Sequence, residues 1–439
     1  MGNLATPLSV QKLQTALHVK AKGQPDFRFY ALYDKVFRED VLRFAYACCK
    51  ANGGAAGVDE EHFDHIEAYG LDRWIGEVAK ELKEKTYQPH AVRRVYIPKQ
   101  SGSGLRPLSI PTIRDRTVQT AAKLVLEPIF EADLPDEQYG YRPERDALAA
   151  VRQVHHLLNS GHTQVVDADL SAYFDTVPHA ELLRSIARRV VDRQMLHLIK
   201  MWLHAPVEEA DERGRTMRTT QNRDEKRGTP QGSPLSPLLS NIYMRRFVMG
   251  WKHLGYERRL GARVVTYADD LVICCKGSAE QALHAMRLIM TRLKLTVNER
   301  KTHVCRVPEE HFDFLGYTFG RCYSTKNGRA FIGTRPSKKS VQRLLANIGE
   351  QTAHNRTWLA AETVVLGINR SLYGWANYFK LGPVGRSYQL IDRYTTTRLR
   401  RWLRSKHPQA RRWTNEALHR DLGLVKMPLL TRNLPWAKS

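Results

Sequence analysis

Three aspartates are the residues of this sequence best suited to chemistry: the adjacent pair Asp269 and Asp270, and the more distant Asp169. Adjacent carboxylates repel each other by about 4 kcal/mol at a separation of about 4 Å and an effective dielectric constant of about 20. Solvent at an exposed turn relieves that repulsion, and for the pair alone this is the commoner case. The third carboxylate favours a divalent cation instead. Three carboxylates on two strands can hold two Mg²⁺ ions about 3.5–4 Å apart, which activate a 3′-hydroxyl and stabilise a leaving pyrophosphate.

The segments around these aspartates have the pattern of β-strands. In 163–174 apolar residues alternate with Asp169 and its polar neighbours, which is the period of a strand with one buried face. Residues 263–267 and 271–275 are apolar and β-branched, and they are predicted to be two strands joined at the adjacent carboxylates. Strands of this kind would bring all three carboxylates to one edge of a sheet.

Helices are predicted to alternate with these strands. Residues 178–190 follow the first strand, and Ser278 with Gln281 forms a capping box ahead of an apolar stripe of helical period. The order strand, helix, β-hairpin, helix predicts an α+β fold with an antiparallel sheet rather than a doubly wound parallel one. A second hairpin with a basic, glycine-rich tip is predicted from 94–98 and 105–111.

The charge of the chain points to a polyanionic partner. The 439 residues carry 69 Lys and Arg against 45 Asp and Glu, a net charge of +24, and 42% of the residues are hydrophobic without a membrane-spanning run. Generic solubility is the alternative explanation of the charge. Residues 326–439 alone hold 22 of the basic and 5 of the acidic residues. This last quarter is predicted to be a packed basic domain, helical beyond Gly333, whereas the segment before Lys83 is also mainly helical.

The six cysteines include no Cys-x-x-Cys pair and no Cys/His cluster at zinc spacing. Neither a disulfide framework nor a zinc site is therefore expected, which fits a reducing compartment. The N-terminus has no signal-peptide core. We accordingly expect a cytoplasmic protein, with no membrane and no zinc among its partners.

Several motifs resemble those of reverse transcriptases. The segment Tyr267-Ala-Asp-Asp270 resembles their Tyr-x-Asp-Asp signature, and Asp169-Leu-Ser-Ala-Tyr-Phe-Asp175 resembles their first catalytic motif. The glycine-rich segment 227–237 resembles the loop that lies between those two motifs. Further matches are Tyr96-Ile-Pro-Lys99, Leu105-Arg-Pro-Leu-Ser-Ile-Pro111, Tyr139-Gly-Tyr-Arg-Pro143, Leu295-Thr-Val-Asn-Glu-Arg-Lys301, Phe312-Asp-Phe-Leu-Gly-Tyr317 and Ser371-Leu-Tyr-Gly-Trp-Ala-Asn-Tyr-Phe379. Together they resemble the bacterial group II intron-encoded reverse transcriptases, also called maturases.

This resemblance implies an α+β right-hand polymerase, with fingers and palm built on antiparallel sheet, followed by an all-α thumb or maturase domain. The expected boundaries are 1–160 for the N-terminal extension and fingers, which includes strand near 94–111, then 161–325 for the palm and 326–439 for the basic helical domain. Many relatives end in a zinc-bearing HNH endonuclease with cysteine pairs. This sequence has none, so it resembles the endonuclease-lacking type.

The resemblance also implies roles for particular residues. Asp169, Asp269 and Asp270 would be the catalytic ligands of two Mg²⁺ ions, with Mn²⁺ as a substitute. Asp175 would cap or orient rather than bind metal. The bulky Phe174 stands where the family excludes a ribose 2′-hydroxyl, and its alternative is an ordinary core aromatic.

The remaining members of the nucleotide site are predicted on the same basis. Lys99 and Arg106 on the predicted hairpin would meet the triphosphate of the incoming dNTP, since that contact needs cationic donors; either alone could be a solvated surface charge. Gln231 resembles the loop residue that contacts the nucleotide. Lys301 resembles a lysine near the departing pyrophosphate, and Asp167 matches no ligand and is expected to be structural.

The basic domain is expected to bind RNA through Arg398, Arg401 and Arg404 on one helix face. The expected partners are an RNA template, a DNA primer, dNTPs and a group II intron RNA whose splicing and mobility the protein assists. Two alternatives remain: an RNA-binding splicing cofactor with an idle polymerase centre, and a domesticated reverse transcriptase that has lost intron mobility. An RNA polymerase with a related fold is disfavoured by Phe174, because ribonucleotides need room at that position.

Overall fold

A computed structural model of the chain describes residues 4–98, 104–211, 215–324, 327–407 and 413–430. The helices are α1 Leu8–Gly23, α2 Tyr33–Val36, α3 Glu39–Asn52, α4 Phe63–Tyr69, α5 Leu71–Glu84, α6 Ile113–Glu131, α7 Ala147–Asn159, α8 Tyr173–Thr176, α9 His179–Ala187, α10 Arg193–Leu203, α11 Gln221–Glu225, α12 Ser236–His253, α13 Tyr256–Arg259, α14 Ala279–Arg292, α15 Lys338–Gln351, α16 Ala361–Tyr378, α17 Gly385–Lys406, α18 Asn415–Arg420 and α19 Met427–Leu430. The strands are β1 Val92–Pro98, β2 Leu105–Ile110, β3 Gln164–Asp169, β4 Val207–Ala210, β5 Thr216–Thr219, β6 Ala262–Tyr267, β7 Asp270–Cys275, β8 His303–Arg306, β9 Phe312–Phe314, β10 Tyr317–Tyr323 and β11 Ala330–Pro336.

The N-terminal region is helical, as its sequence pattern predicts. In α5 the apolar positions Trp74, Ile75, Val78 and Leu82 share one face and are buried. They join the same core as α6, whose apolar residues are buried along almost the whole helix. Burial on several sides makes α6 the central helix of this half of the molecule.

The central sheet has the strand order β6-β7-β3-β8, and its neighbours are antiparallel. The predicted order of strand, helix, β-hairpin and helix is confirmed by β3, α9, β6–β7 and α14. In β3 the side chains alternate between two cores. Val166 and Ala168 pack with α12 and α14, whereas Val165 packs with α7 and the C-terminal helices. Asp167 and Asp169 therefore lie on the face that carries the C-terminal helices.

The predicted hairpin is formed by β1 and β2, which pair antiparallel from Arg93↔Ile110 to Pro98↔Leu105. This sheet is larger than the sequence indicated. The short strands β4 and β5 extend it, and β4 pairs parallel to β1 at Val92↔Val207. At four residues each, β4 and β5 are too short to give a readable strand period.

A third sheet, β11-β10-β9, joins the central region to the terminal helices. Strand β11 runs three residues past Gly333, where the sequence reading expected only helix, and it pairs with β10 from Tyr317↔Pro336 to Tyr323↔Ala330. Helices α15 to α19 follow and share a core. The right-hand α+β architecture followed by a helical region is thus confirmed. None of the described helices is both long and apolar enough to cross a membrane.

Candidate active site

The three candidate carboxylates come together where two strands meet. Asp169 is the last residue of β3 and pairs directly with Asp270, the first residue of β7. Asp269 precedes Asp270 in the two-residue turn that joins β6 to β7. Because Asp169 and Asp270 are cross-strand partners with side chains on one face, their carboxylates are neighbours in space although 101 positions apart in sequence.

The turn that carries Asp269 is held in a strained conformation. Ala268 has a φ of +57°, which is unfavourable for a residue with a Cβ. The backbone of Gly140 packs against this turn so closely that a Cβ there would lie 2.5 Å from the amide nitrogen of Ala268. The Gly140 carbonyl also accepts a hydrogen bond of 2.7 Å from the side chain of Asn241 on α12. These contacts fix the turn of Asp269 from outside its own strands.

The electrostatics of the site show excess negative charge. Desolvation within the site, and then repulsion from Asp269 and Asp169, raises the pKa of Asp270 to about 7. Burial also raises the pKa of Asp269, and the charge of Asp169 adds to this rise. The positive charges of Arg106 and Lys301 reduce this rise in the pKa of Asp269. A site with this balance favours the binding of a cation.

Asp169 already has cationic and polar partners. Its Oδ2 accepts hydrogen bonds from Nδ2 of Asn298 at 2.9 Å and from Nζ of Lys301 at 3.2 Å. The Asn298 backbone N–H also donates to the Asp169 carbonyl at 2.8 Å. The sequence indicated Lys301 but not Asn298, although both belong to one motif. The hydrogen bonds of Asn298 orient Asp169 from the side opposite Asp270's strand.

These residues fit a divalent cation in chemistry and position but not in their present side-chain arrangement. Carboxylate oxygens from paired strands are suitable ligands for a hard cation such as Mg²⁺. Among the residues that the structure describes, however, no three His, Cys, Asp or Glu side chains converge to hold a metal ion. The ion pair of Asp169 with Lys301 explains this, since the ammonium takes the place of a cation at Asp169. Metal binding here would require Asp169 to exchange one positive partner for another.

Aromatic side chains line the neighbouring surface. The Phe174 ring packs against the core and lies 5.8 Å from Tyr173 and 6.5 Å from Tyr141, measured between ring centroids. Tyr141 is 49% exposed and lies 6.5 Å from the ring of Tyr267. The sequence analysis identified Tyr141 as part of a motif without giving it a role. The Tyr141 ring is therefore next to both Phe174, the predicted sugar-discriminating residue, and Tyr267, which precedes the Asp269 turn.

The predicted nucleotide-contacting loop is fastened to two elements. Nε2 of Gln231 donates to Oδ2 of Asp175 at 3.1 Å, and the Gln231 carbonyl accepts from the Ser109 N–H of β2 at 2.6 Å. Gly232 has a φ of +108°, and a Cβ there would lie 2.5 Å from the Ser109 carbonyl oxygen. The bond to Gln231 agrees with the orienting role expected of Asp175, and the loop is held between β2 and the motif of Asp169.

Of the two cations predicted on the β1–β2 hairpin, the structure describes only Arg106. Arg106 lies on β2 opposite Ile97, is exposed, and is near enough to lower the pKa of Asp269. Lys99 lies outside the described residues. The structure thus brings Arg106 to the carboxylates without any ion pair that would occupy it among the described residues.

The three arginines predicted to bind RNA lie on α17 in two different environments. Arg398 is half-buried and donates to the Gly349 and Thr352 carbonyls at 2.9 and 3.2 Å, where α15 ends. Its guanidinium therefore satisfies the end of another helix. Arg401 and Arg404 are exposed on the side opposite the buried face of α17. Of the three predicted arginines, these two have no hydrogen-bond or ion-pair partner for their guanidinium groups among the described residues.

Two family models match the chain. Reverse transcriptase (RNA-dependent DNA polymerase) matches residues 97–319, which include all three candidate carboxylates. The maturase-specific domain of group II introns matches residues 341–420, which include α16 and α17.

Individual relatives agree with these matches. The chain is 31% identical to the protein YkfC of Escherichia coli (strain K12) over 369 residues, which cover 75% of this chain and 93% of YkfC. It is 32% identical to the group II intron-encoded protein LtrA of Lactococcus lactis subsp. cremoris over 353 residues, 66% of this chain and 56% of LtrA. An uncharacterised 91 kDa protein in the cob intron of Schizosaccharomyces pombe is 31% identical over 420 residues, which cover 79% of this chain. The chain spans about half of the length of LtrA and of the S. pombe protein. With a reverse transcriptase domain followed by a maturase-specific domain, the chain belongs to the group II intron-encoded reverse transcriptases.

Proposed function

We propose that this chain is an RNA-directed DNA polymerase that extends a DNA primer on an RNA template, with Asp169, Asp269 and Asp270 as its catalytic carboxylates. The observation that carries the proposal is the direct pairing of Asp169 with Asp270 beside the strained turn of Asp269. Such a cluster has no stabilising purpose in the fold, because Asp269 and Asp169 add to the rise in the pKa of Asp270. The membership in a reverse transcriptase family supports the same reaction.

The metal ions of the reaction are proposed to be two Mg²⁺, for which Mn²⁺ can substitute. When bound, they supply Lewis-acid activation of the primer 3′-hydroxyl and neutralise the charge of the departing pyrophosphate. Asp169 would hold the metal after it releases Lys301, and Asn298 would still orient the Asp169 carboxylate through its own hydrogen bond. The released ammonium of Lys301 is then available to the negative charge of the pyrophosphate.

The dNTP is proposed to lie between the carboxylates and the β1–β2 hairpin. Arg106, together with Lys99 of the same hairpin, supplies cationic donors for the triphosphate. Phe174 lies beneath the sugar and excludes a 2′-hydroxyl, and Gln231 contacts the nucleotide from a loop that Asp175 and Ser109 hold in place. Pre-positioning of this kind lowers the entropic cost of aligning the reactants.

A second role, RNA binding that assists intron splicing, is proposed for the C-terminal helices. The segment 326–439 holds 22 basic and 5 acidic residues, and Arg401 and Arg404 on α17 are exposed there. The match to the maturase-specific domain favours this role. We propose that the intron RNA and the template–primer are the nucleic-acid partners and that the protein acts in the bacterial cytoplasm.

Primer extension with purified protein tests the polymerase role. The wild-type chain should extend a DNA primer on an RNA template with dNTPs and Mg²⁺, and Asp269→Ala should abolish extension while RNA affinity is retained. Asp72→Ala is the matched control, because its carboxylate lies exposed on α5 and pairs only with Arg43 among the described residues. Extension by Asp269→Ala at the wild-type rate would refute the catalytic assignment.

Splicing is tested separately with RNA transcribed from the DNA that flanks the gene. The wild-type protein should accelerate splicing at low Mg²⁺, and Asp269→Ala should do so equally well, because the helical domain is unchanged. A protein that accelerates splicing but never extends a primer would identify the splicing-cofactor alternative.

A further inference from the structure

A cavity lined by arginines lies in the helical layer below the central sheet. It has a volume of about 240 Å³ and is formed where α6, α9 and α12 meet. Arg184 of α9 and Arg188, which follows the last residue of α9, line one side, and Arg245 and Arg246 of α12 line the other. No residue of this cavity belongs to the reverse transcriptase motifs identified in the sequence.

The positive charge of this cavity is not matched by nearby carboxylates. Asp133 is shared, because Arg188 forms an ion pair with it and Nε of Arg189 lies 3.4 Å from it. The carboxylate of Glu181 already pairs with Nζ of Lys294 at 2.7 Å. In the described chain no carboxylate lies within ion-pairing distance of Arg184 or Arg246. The cavity therefore has guanidinium donors in excess.

The surroundings of Arg245 show the cost of this arrangement. Burial, followed by repulsion from Arg188, lowers the pKa of Arg245. Its Nε donates to the Asp133 carbonyl at 2.9 Å, which fixes its guanidinium but supplies no full negative charge. An anion in the cavity would relieve the repulsion between these arginines.

The cavity lies on the opposite side of the sheet from the catalytic carboxylates. Two of its lining residues, Phe130 and Ile242, belong to the core that contains Val166 and Ala168. Asp169 points to the other face of β3, as required by strand alternation. The arginines and the candidate carboxylates therefore belong to opposite faces of the central sheet.

We propose that this arginine cavity binds a phosphodiester of an RNA segment that runs along the outside of the protein, away from the polymerase cleft. Guanidinium groups bind phosphate oxygens in bidentate fashion, and four of them around one cavity match a single phosphate group with its neighbours. Arg184 and Arg188 are exposed, so the cavity is open to a phosphate within a chain rather than closed around a free ion. This site goes beyond the polymerase and splicing roles and does not depend on either of them.

The test is the affinity of the full chain for a long single-stranded RNA, measured by fluorescence anisotropy over a range of salt concentrations. Arg184→Gln/Arg246→Gln should weaken binding about tenfold and make the slope of log affinity against log salt shallower by about 1.4, the value for two lost phosphate contacts on a single strand. Arg258→Gln/Arg292→Gln is the matched control, because both residues are exposed outside the cavity. Extension of a short template–primer should stay at the wild-type rate in both variants.

A second arm distinguishes RNA from a free anion. Inorganic phosphate should raise the midpoint temperature of thermal unfolding by the same amount in the wild-type protein and in Arg184→Gln/Arg246→Gln. If phosphate stabilises the wild type alone and the cavity variant keeps its RNA affinity, the cavity is a free-anion site and the proposal is overturned. Equal losses of RNA affinity in the cavity and control variants would also overturn it. If the double variant does not fold, Arg184→Gln alone should still lower RNA affinity about threefold, because its side chain has no hydrogen bond or ion pair among the described residues.

Discussion

The two faces of the central sheet carry opposite and uncompensated charge. On one face burial and the neighbouring carboxylates raise the pKa values of Asp269 and Asp270, and on the other four arginines surround a cavity with too few carboxylates. Neither cluster stabilises the fold by itself, because like charges repel. Both proposals follow from this difference, since we place cations at the carboxylates and phosphate at the arginines.

Gly140→Ala should disrupt the acidic face more than any other change that keeps all three carboxylates. The new Cβ would lie 2.5 Å from the Ala268 amide nitrogen and displace the turn that carries Asp269. A displacement of this size should lower the rate of primer extension by about 100-fold. RNA affinity should not change, because we place RNA binding on other surfaces of the protein.

The control for that variant is Gly76→Ala, where nothing lies within 4 Å of the added Cβ. It lies within α5 and should extend primers at the wild-type rate. Equal activity of Gly140→Ala and Gly76→Ala would show that the turn does not need its close contact with Gly140.

Phe174→Ala tests whether Phe174 makes the site selective for deoxynucleotides. Removal of the ring opens the space predicted for a ribose 2′-hydroxyl, so the ratio of ribonucleotide to deoxynucleotide incorporation should rise about tenfold or more. Incorporation of dNTPs by the same variant serves as the internal reference. An unchanged ratio would leave Phe174 as an ordinary core aromatic.

Asp175→Ala tests the support of the nucleotide loop. Loss of the hydrogen bond from Gln231 should raise the KM for dNTPs about three- to tenfold, with a smaller change in kcat. Asp175→Asn should restore most of the affinity, because the asparagine carbonyl can accept the same hydrogen bond. A failure of Asp175→Asn to rescue would mean that the charge of Asp175, and not its position, matters.

The smallest effect is expected from Lys301→Gln. Its ammonium competes with cations for Asp169, so its removal should lower the Mg²⁺ concentration needed for half-maximal extension about threefold, even if the maximal rate falls. An increased Mg²⁺ requirement would show that Lys301 assists metal binding instead of opposing it.

Much of the acidic face was predictable from the sequence, and the arginine face was not. The alternation of apolar and acidic residues in β3 and the position of the Asp269–Asp270 pair predicted the strands and the site directly. Strand β11 was not predicted, because helix was expected beyond Gly333, although Asn327-Gly328 ahead of the strand is a hairpin signal. Arg184 and Arg246 lie on different helices, so their proximity depends on helix packing rather than on any local spacing.

The limits of sequence reasoning also appear in single residues. Arg398 was grouped with Arg401 and Arg404 because the sequence pattern places all three on the basic side of one helix. Only the structure shows that Arg398 caps the end of α15. Asn298 was missed for the opposite reason, because an asparagine in a motif gives no charge signal, although it holds Asp169 in place.

The most direct test of the central claim is the equilibrium binding of Mn²⁺, followed by electron paramagnetic resonance, to protein saturated with an RNA–DNA template–primer. We predict that the wild-type protein binds Mn²⁺ and that Asp269→Asn/Asp270→Asn loses this binding, while both keep the same affinity for the template–primer. Undiminished Mn²⁺ binding by the double variant would contradict the claim that these carboxylates form the metal site.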